Sequence, residues 1–369
     1  MDETPPVIAV LGGGQLGRML ALAGLPLGLA FRFLDPSLAA PAGPLGALHT
    51  GRLDDAAAVR AVAAGAEVVT YEWEGVAADA ARAAEAFAPL RPGGRPLEVA
   101  QDRGAEKATF ERLGIHVPAF ETVDDYDGLE RAVAAVGLPA VLKTRRGGYD
   151  GKGQRVLHKT ADVDEAWRTL GDVPLILEQL VSFRRELSIV AVRGLDGTTA
   201  CYPLVENEHQ DGILRVTRAP APGLAPGLQR EAEAIAAKLL SDFDYVGVLA
   251  VELFEHDGRL LANELAPRVH NSGHWTIEGA ETSQFENHLR AILGWPLGAT
   301  TPRGVSAMVN CLGVLPPRDA ILGVTGAHLH DYRKPSRAGR KVGHITVTAD
   351  SVEERDRRLA AVRGVTDGS

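Results

Sequence analysis

At 369 residues, 45% hydrophobic and 24% charged, the chain is long enough for two or three domains with buried cores and too apolar to stay unfolded. A formal charge of −9, from 39 Lys and Arg against 48 Asp and Glu, excludes an overall field that would gather nucleic acid or anionic lipid, so any basic site must be local. Two cysteines, Cys201 and Cys311, are too few for a disulfide framework or a zinc cluster. Both sit in apolar stretches that predict buried thiols, which fits a reducing cytoplasm. No export signal and no apolar run able to span a bilayer are expected.

Residues 7–11 form a short β-type run, 15–23 a helix-like stretch, 31–34 a second strand, 54–64 an Ala-rich helix and 67–70 a third strand. Such a βαβ series predicts a parallel sheet with helical covers. Residues 89–96 (PLRPGGRP) have the composition of a linker. A charged helix follows over 102–113, then strands over 140–143, 155–157 and 175–180 and a helix over 163–170. A Pro- and Gly-rich segment, 219–227, precedes a helix over 229–240. Strands over 248–254 and 260–265 flank His256-Asp257-Gly258 and predict a hairpin with a three-residue turn. Residues 274–293 are expected to be helical, the last sixty to mix short strands with a basic loop, and the tail after about Val362 to be disordered.

Gly12, Gly14 and Gly17 make G-x-G-x-x-G between a strand and a helix, with Asp35 closing the next strand. Glycines there let amides reach a phosphate at a helix N-terminus, which fits a dinucleotide, another phosphate, or plain strand-to-helix packing. A second glycine-rich stretch, 147–154 (GGYDGKGQ), follows the strand carrying Lys143. It lacks the Gly-Lys-Ser/Thr ending of a Walker A loop, and suits either a flexible loop closing over phosphates or a hairpin turn with a solvated lysine. The chain has seven lysines against 32 arginines, so Lys152 inside this stretch and Lys143 just before it favour the phosphate loop.

Glu252 and Glu264 lie at equal distances from Gly258, which predicts that they face each other across the hairpin. Two like charges on an apolar hairpin call for a cation such as Mg²⁺; the alternative is a solvated face. The polar loop 267–274 follows this strand. Segment 333–341 (RKPSRAGRK) holds five cations in nine residues, an anion site or a solvated loop. Tyr71-Glu72-Trp73-Glu74 ends the third strand, where open parallel sheets place ligands.

Taken together, GGGQLGRM, LKTRRGGYDGKGQ, EQLVSFRRELS, NEHQDGI, NELAPRVHNSGHWTIEGAETSQFENHLRA and GRKVGHIT resemble the ATP-grasp enzymes, and within them the carboxylating synthases of purine biosynthesis. The resemblance covers nearly the whole chain. It implies an α/β fold with an N-terminal Rossmann-like domain (1–98), a small α+β lid (99–180) and a large ATP-grasp domain with its C-terminal part (181–369). ATP would be clasped between the last two.

Carried over residue by residue, Arg103 and Lys143 would approach the ATP phosphates while Gly148, Tyr149, Asp150, Gly151, Lys152, Gly153 and Gln154 close over them. Glu178, Gln179, Leu180 and Val181 would line the adenine, Glu186 would take the ribose, His209 and Asn263 would complete the pocket, and Glu252 and Glu264 would hold Mg²⁺. The acceptor, 5-aminoimidazole ribonucleotide, would place its phosphate near Lys334, Arg340 and Lys341 with Gln15 and Leu16 alongside, and Glu72 or Glu74 near its ribose or amine. The implied catalytic residues are Lys143 and Lys152 on the transferred phosphoryl group, and Tyr149, Arg268, His270 and Asn271 at the bicarbonate and transfer site. The resemblance also implies a homodimer. Loop 331–338 departs from the more Gly- and Pro-containing turn of the family. Competing readings are a formate-using glycinamide ribonucleotide transformylase, a nicotinamide-dependent oxidoreductase on the first domain, and a non-catalytic nucleotide sensor.

Overall fold

The computed structural model describes residues 5–148 and 151–367. Strands β1 (Val7–Leu11), β2 (Ala30–Asp35), β3 (Ala47–Thr50) and β4 (Val68–Tyr71) form an all-parallel sheet of order β3-β2-β1-β4. Its covers are α1 (Gln15–Gly24), α2 (Ala56–Ala63) and α3 (Ala78–Ala84). The parallel sheet follows the predicted βαβ series, with β3 added. That strand, Ala-Leu-His-Thr, is only four residues long and half exposed, so it carries no hydrophobic pattern to detect.

The expected linker is instead built into the fold. Val69 N–H donates to Pro89 O at 2.8 Å and Arg91 N–H to Val69 O at 2.9 Å, so the segment runs parallel beside β4. Leu90 is buried, and α4 (Gly94–Ala100) starts within the same stretch, with Pro96 in its first turn where no donor is needed.

Helix α5 (Arg103–Arg112) leads to a second, antiparallel sheet of β5 (Phe120–Val123), β6 (Ala140–Thr144), β7 (Gln154–Leu157) and β8 (Leu175–Gln179), in order β5-β8-β6-β7. Helices α6 (Tyr126–Val136) and α7 (Val163–Leu170) cover one face around Leu129, Leu142, Val163 and Leu177.

The third sheet has nine strands: β9 (Arg185–Arg193), β10 (Thr199–Cys201), β11 (Val205–Gln210), β12 (Ile213–Ala219), β13 (Gly247–His256), β14 (Arg259–Ala266), β15 (Val305–Leu312), β16 (Ala327–Asp331) and β17 (Lys341–Ala349). Its path is β14-β13-β9-β11-β12-β15-β17-β16, with β10 on β9, so the last strands continue the large sheet. Helix α8 (Leu228–Asp242) packs Leu228, Ile235 and Leu239 on this sheet.

The region 274–293 splits into α9 (Thr276–Gly279) and α10 (Gln284–Leu293), because Ala280 is extended and Ser283 caps the second helix through Glu286 N–H at 3.1 Å. Phe285, Leu289 and Ile292 of α10 share one core with Leu16, Met19 and Leu20 of α1, which joins the first sheet to the third. Truncating Phe285 to Ala would cost about 3–5 kcal/mol. After α11 (Arg318–Leu322), α12 (Val352–Thr366) carries the tail past the expected end of order: Ser351 caps it and Leu359 and Val362 are buried. Cys311 is buried, whereas Cys201 is only partly so. Among the described residues no helix is long and apolar enough to cross a membrane.

Candidate functional site

Glu252 and Glu264 are direct partners across β13 and β14, as expected, but by a different route. The turn has two residues, Asp257 and Gly258, both at positive φ (48° and 75°), which pairs His256 with Arg259 and Leu253 with Ala262. That register alone would set Glu252 opposite Asn263 and send Glu264 to the other face. A bulge at Asn263 adds the residue that brings Glu264 round. Burial, then the charge of Glu264, pushes the Glu252 carboxyl up to about 7. Burial also acts against ionised Glu264, but Arg103 and Lys143 outweigh it and hold its pKa below the ordinary value. Arg103 reaches Glu264 at 3.2 Å from the first position of α5. Among the described residues no group of three or more His, Cys, Asp or Glu is placed to hold a metal. Two repelling carboxylates joined by phosphate oxygens are a donor set that fits Mg²⁺.

Lys143 on β6 donates to Glu178 on β8 at 3.1 Å. Glu178 is 3% exposed, and Lys107 and Lys143 overcome its burial to hold its pKa near 2. Sequence reasoning missed Lys107. It is 1% exposed, lies 3.3 Å from Glu178 and donates to Asn263 O at 2.7 Å. Its signal was available, since it is one of only seven lysines. Glu106 was also missed: it accepts Leu265 N–H at 2.6 Å, and burial pushes its pKa up to about 8. Asp102 caps α5 through Gly104 and Ala105 and pairs with Arg145 and Arg146, each at 3.1 Å, which ties the helix to the base of the glycine-rich loop.

In that loop Tyr149 and Asp150 lie outside the described residues. Gly148 passes close to Thr144 and Arg103, and Gly153 has φ +72° with Thr144 Oγ1 2.7 Å from where a Cβ would stand. Gly151 packs on the Asp211-Gly212 turn, so the loop already touches the large sheet. Lys152 follows Gly151 in this loop, and Gln154 opens β7 opposite Lys143. Gln179, the last residue of β8, and Leu180 are exposed, and Val181 is half-buried. Glu186 and His209 come together on β9 and β11, with Glu186 Oε2 bonded to His209 Nδ1. A cavity of about 500 Å³ opens beside them, lined in part by Phe183, Arg185, Asn207 and Arg218.

The glycine turn after β1 is filled by a carboxylate. Glu72 accepts N–H bonds from Gly14 at 2.9 Å and from Leu16 and Gly17 at 3.1 Å, and a Cβ on Gly12 or Gly14 would stand 2.7 Å from its side chain. Asp35 is engaged too, accepting Gly13 N–H at 2.9 Å and Ser37 N–H at 2.8 Å. A dinucleotide pyrophosphate would find these amides taken, which removes the support for a nicotinamide site. Leu16 therefore has no free amide to offer a ligand. Gln15 does face the predicted basic loop, bonded through Oε1 to Lys334 Nζ. Burial lowers the Lys334 pKa to about 8 against the pull of Glu72, with Arg340 and Lys341 lowering it further.

The loop after β14 joins the two centres. Arg268 lies 2.8 Å from Glu74, and His270 Nε2 lies 3.6 Å from Glu252. Burial drives the His270 pKa well below its usual value, with Arg268 and Lys341 pushing the same way. Asn271 does not present its side chain freely: its amide is paired both ways with Asn310, at 3.1 and 2.7 Å.

An N5-carboxyaminoimidazole ribonucleotide synthase from Pseudomonas aeruginosa is 50% identical over 360 residues, covering 98% of this chain and 99% of its own. The chain belongs to the N5-carboxyaminoimidazole ribonucleotide synthase family. A crystal structure of the family's synthetase from Thermus thermophilus superposes with a TM-score of 0.94 at 55% identity, covering 97% of this chain and 98% of that one. A synthase from Aspergillus clavatus, solved in complex with ADP and 5-aminoimidazole ribonucleotide, gives a TM-score of 0.92 at 32% identity over 99% of both chains. The ribonucleotide synthetase pre-ATP-grasp domain matches residues 6–101, the ATP-grasp domain 108–285, and the phosphoribosylaminoimidazole carboxylase C-terminal domain 306–358. The synthase family thus spans both charged centres and the loop that joins them.

Proposed function

We propose that this protein carboxylates 5-aminoimidazole ribonucleotide at the expense of ATP, giving N5-carboxyaminoimidazole ribonucleotide, ADP and phosphate in purine biosynthesis, with bicarbonate as the carbon source. The observation that carries the reading is the loop after β14, which touches both charged centres: Arg268 at Glu74 and His270 at Glu252. One centre suits a triphosphate and the other a ribonucleotide phosphate. Residues 1–98, 99–180 and 181–369 are the corresponding three parts.

In the reaction, a bicarbonate oxygen forms a bond to the γ-phosphorus as the bond to ADP breaks, giving carboxyphosphate. The exocyclic amine nitrogen then forms a bond to the carboxyphosphate carbon as the C–O bond to phosphate breaks, or to the carbon of CO₂ once that bond has broken in place; phosphate leaves and the amine loses a proton. Phosphoryl transfer asks chiefly for alignment and neutralised charge. Arg103, Lys143 and Lys152 would supply the charge, and the loop that carries Gly148, Tyr149, Asp150, Gly151, Gly153 and Gln154 would serve to exclude water. Glu252 and Glu264 would hold Mg²⁺, which when bound screens the phosphate oxygens.

Gln179, Leu180 and Val181 would border the adenine, with Glu178 fixing Lys143 behind them. Glu186 would take the ribose hydroxyls, with His209 and Asn263 beside it. Lys334, Arg340, Lys341 and Gln15 would hold the acceptor phosphate, while Glu72 anchors the turn and Glu74 orients Arg268. Arg268 and His270 would meet bicarbonate. The reading extends to a cytoplasmic homodimer by resemblance alone, and sedimentation velocity across a concentration range tests the dimer.

The test of the acceptor is a substrate panel with ¹³C NMR detection. Labelled bicarbonate and 5-aminoimidazole ribonucleotide should give an ATP-dependent carbamate carbon signal. Turnover only with formate and glycinamide ribonucleotide would replace this acceptor and retain the fold.

A further inference from the structure

Gln284, the first residue of α10, is fully buried and lies 14 residues after His270. Its side-chain amide behaves as a peptide group would in a sheet. Oε1 accepts His270 N–H at 2.9 Å and Nε2 donates to His270 O at 2.6 Å, so both backbone polar groups of one residue are closed by one side chain. The second Nε2 proton faces His274 Nδ1 at 3.3 Å, and burial keeps that imidazole neutral and able to accept. His274 therefore fixes which end of the amide faces which group of His270.

The backbone of Gln284 is held as well. Its N–H donates to Thr276 Oγ1 at 2.9 Å, and that hydroxyl donates to Gly273 O at 2.6 Å. Gly273 leaves room for the amide, since a Cβ there would stand 2.5 Å from Gln284 Oε1. On the other side, His270 Nδ1 accepts Ser272 N–H at 3.3 Å and meets Ser272 Oγ at 2.9 Å. With Nδ1 accepting the Ser272 N–H, the ring carries a proton on Nε2, the nitrogen 3.6 Å from Glu252.

We propose that Gln284 is a positioning residue of the reaction: its amide clamps the backbone of His270 and so aims the Nε2–H of that imidazole at the Glu252 side of the transfer site. The inference rests on the reading of His270 as a transfer-site residue. Gln284 touches no substrate, and it acts only through His270.

The test is a double-substitution cycle of Gln284→Met and His270→Ala with a spectroscopic arm. Gln284→Met keeps the side-chain length and removes all three amide bonds; Gln284→Glu keeps the acceptor for His270 N–H and removes the donor. Gln284→Met should lower kcat about 10- to 100-fold, the scale of an ångström-sized misplacement, with the KM for ATP within about twofold. In the His270→Ala background the same change should have no further effect. Factors that multiply would overturn the proposal, because a merely structural loss would be felt with or without His270. Separately, ¹⁵N NMR of the imidazoles should give the Nε2–H tautomer for His270 in the wild-type protein and a changed tautomer ratio in Gln284→Met. Should that variant fail to fold, Gln284→Glu serves in both arms. An unchanged His270 signal in a folded variant would overturn the clamp. A changed signal with a His270→Ala enzyme of full activity would keep the clamp and sink the reading of His270 instead.

Discussion

The ammonium of Lys107 donates to the carbonyl oxygen of Asn263 at 2.7 Å, so a buried cation on α5 holds the one-residue bulge that sets Glu264 opposite Glu252. The same ammonium lies 3.3 Å from Glu178, which fixes Lys143. Lys107 thus braces both the Asn263 bulge and the Glu178–Lys143 pair. Replacing it with Met leaves Glu178 with one buried partner fewer, a change that costs about 3–5 kcal/mol when a buried pair is broken. Lys107→Met should lower the denaturation midpoint, and Lys107→Met/Glu178→Gln should recover part of the loss. Two additive losses would contradict the pairing.

The carboxylate pair makes a sharper claim about Mg²⁺. Glu264→Gln keeps the shape of the side chain but removes a charge that burial already disfavours. Loss of several kcal/mol of phosphate-charge stabilisation corresponds to a fall in turnover on the order of 100-fold or more. The check is ADP release against Mg²⁺ concentration; full activity with an unshifted Mg²⁺ requirement would remove Glu264 from the metal site.

The basic loop makes a prediction in pH. Lys334 has its pKa lowered to about 8, chiefly by burial, so in the free enzyme its ammonium loses its proton as pH rises through that value. If the loop holds the acceptor phosphate as proposed, that attraction is lost in the same direction. The kcat/KM for 5-aminoimidazole ribonucleotide should therefore fall above about pH 8, and Lys334→Arg should carry the plateau to higher pH because guanidinium stays charged. Lys341→Ala should raise the KM for the ribonucleotide more than that for ATP. An effect confined to the ATP KM would assign the loop to the wrong ligand.

Much of this was legible in the sequence because its signals are local. The βαβ alternation, the hairpin around Gly258 and the helix over 163–170 follow from periodicity within one element. What escaped depends on contacts between distant segments. PLRPGGRP carries turn residues, yet Val69 captures it as an extra parallel segment. The equal spacing of Glu252 and Glu264 about Gly258 gave the right pair for the wrong reason, since a two-residue turn and a bulge reproduce the register of a three-residue turn. Lys107 stood out only as one of seven lysines and Gln284 only as part of a longer motif, and the partner of each is a backbone carbonyl that no local pattern names.

The glycine turn gives a prediction that separates packing from binding. Gly14 has an ordinary backbone conformation, so Ala there meets no backbone strain, but its Cβ would stand 2.7 Å from Glu72 Oε1. Gly14→Ala should displace Glu72 from the amides of Leu16 and Gly17 and raise the KM for the ribonucleotide several-fold, with the KM for ATP unchanged. Equal changes in both KM values would mean that the turn serves the fold alone.

The measurement that tests the central claim most directly is ADP release from the purified protein with Mg-ATP, with and without 5-aminoimidazole ribonucleotide, in buffer depleted of or supplemented with bicarbonate. Rapid release is expected only when both co-substrates are present. Release that the imidazole ribonucleotide does not stimulate, at any bicarbonate concentration, would contradict it.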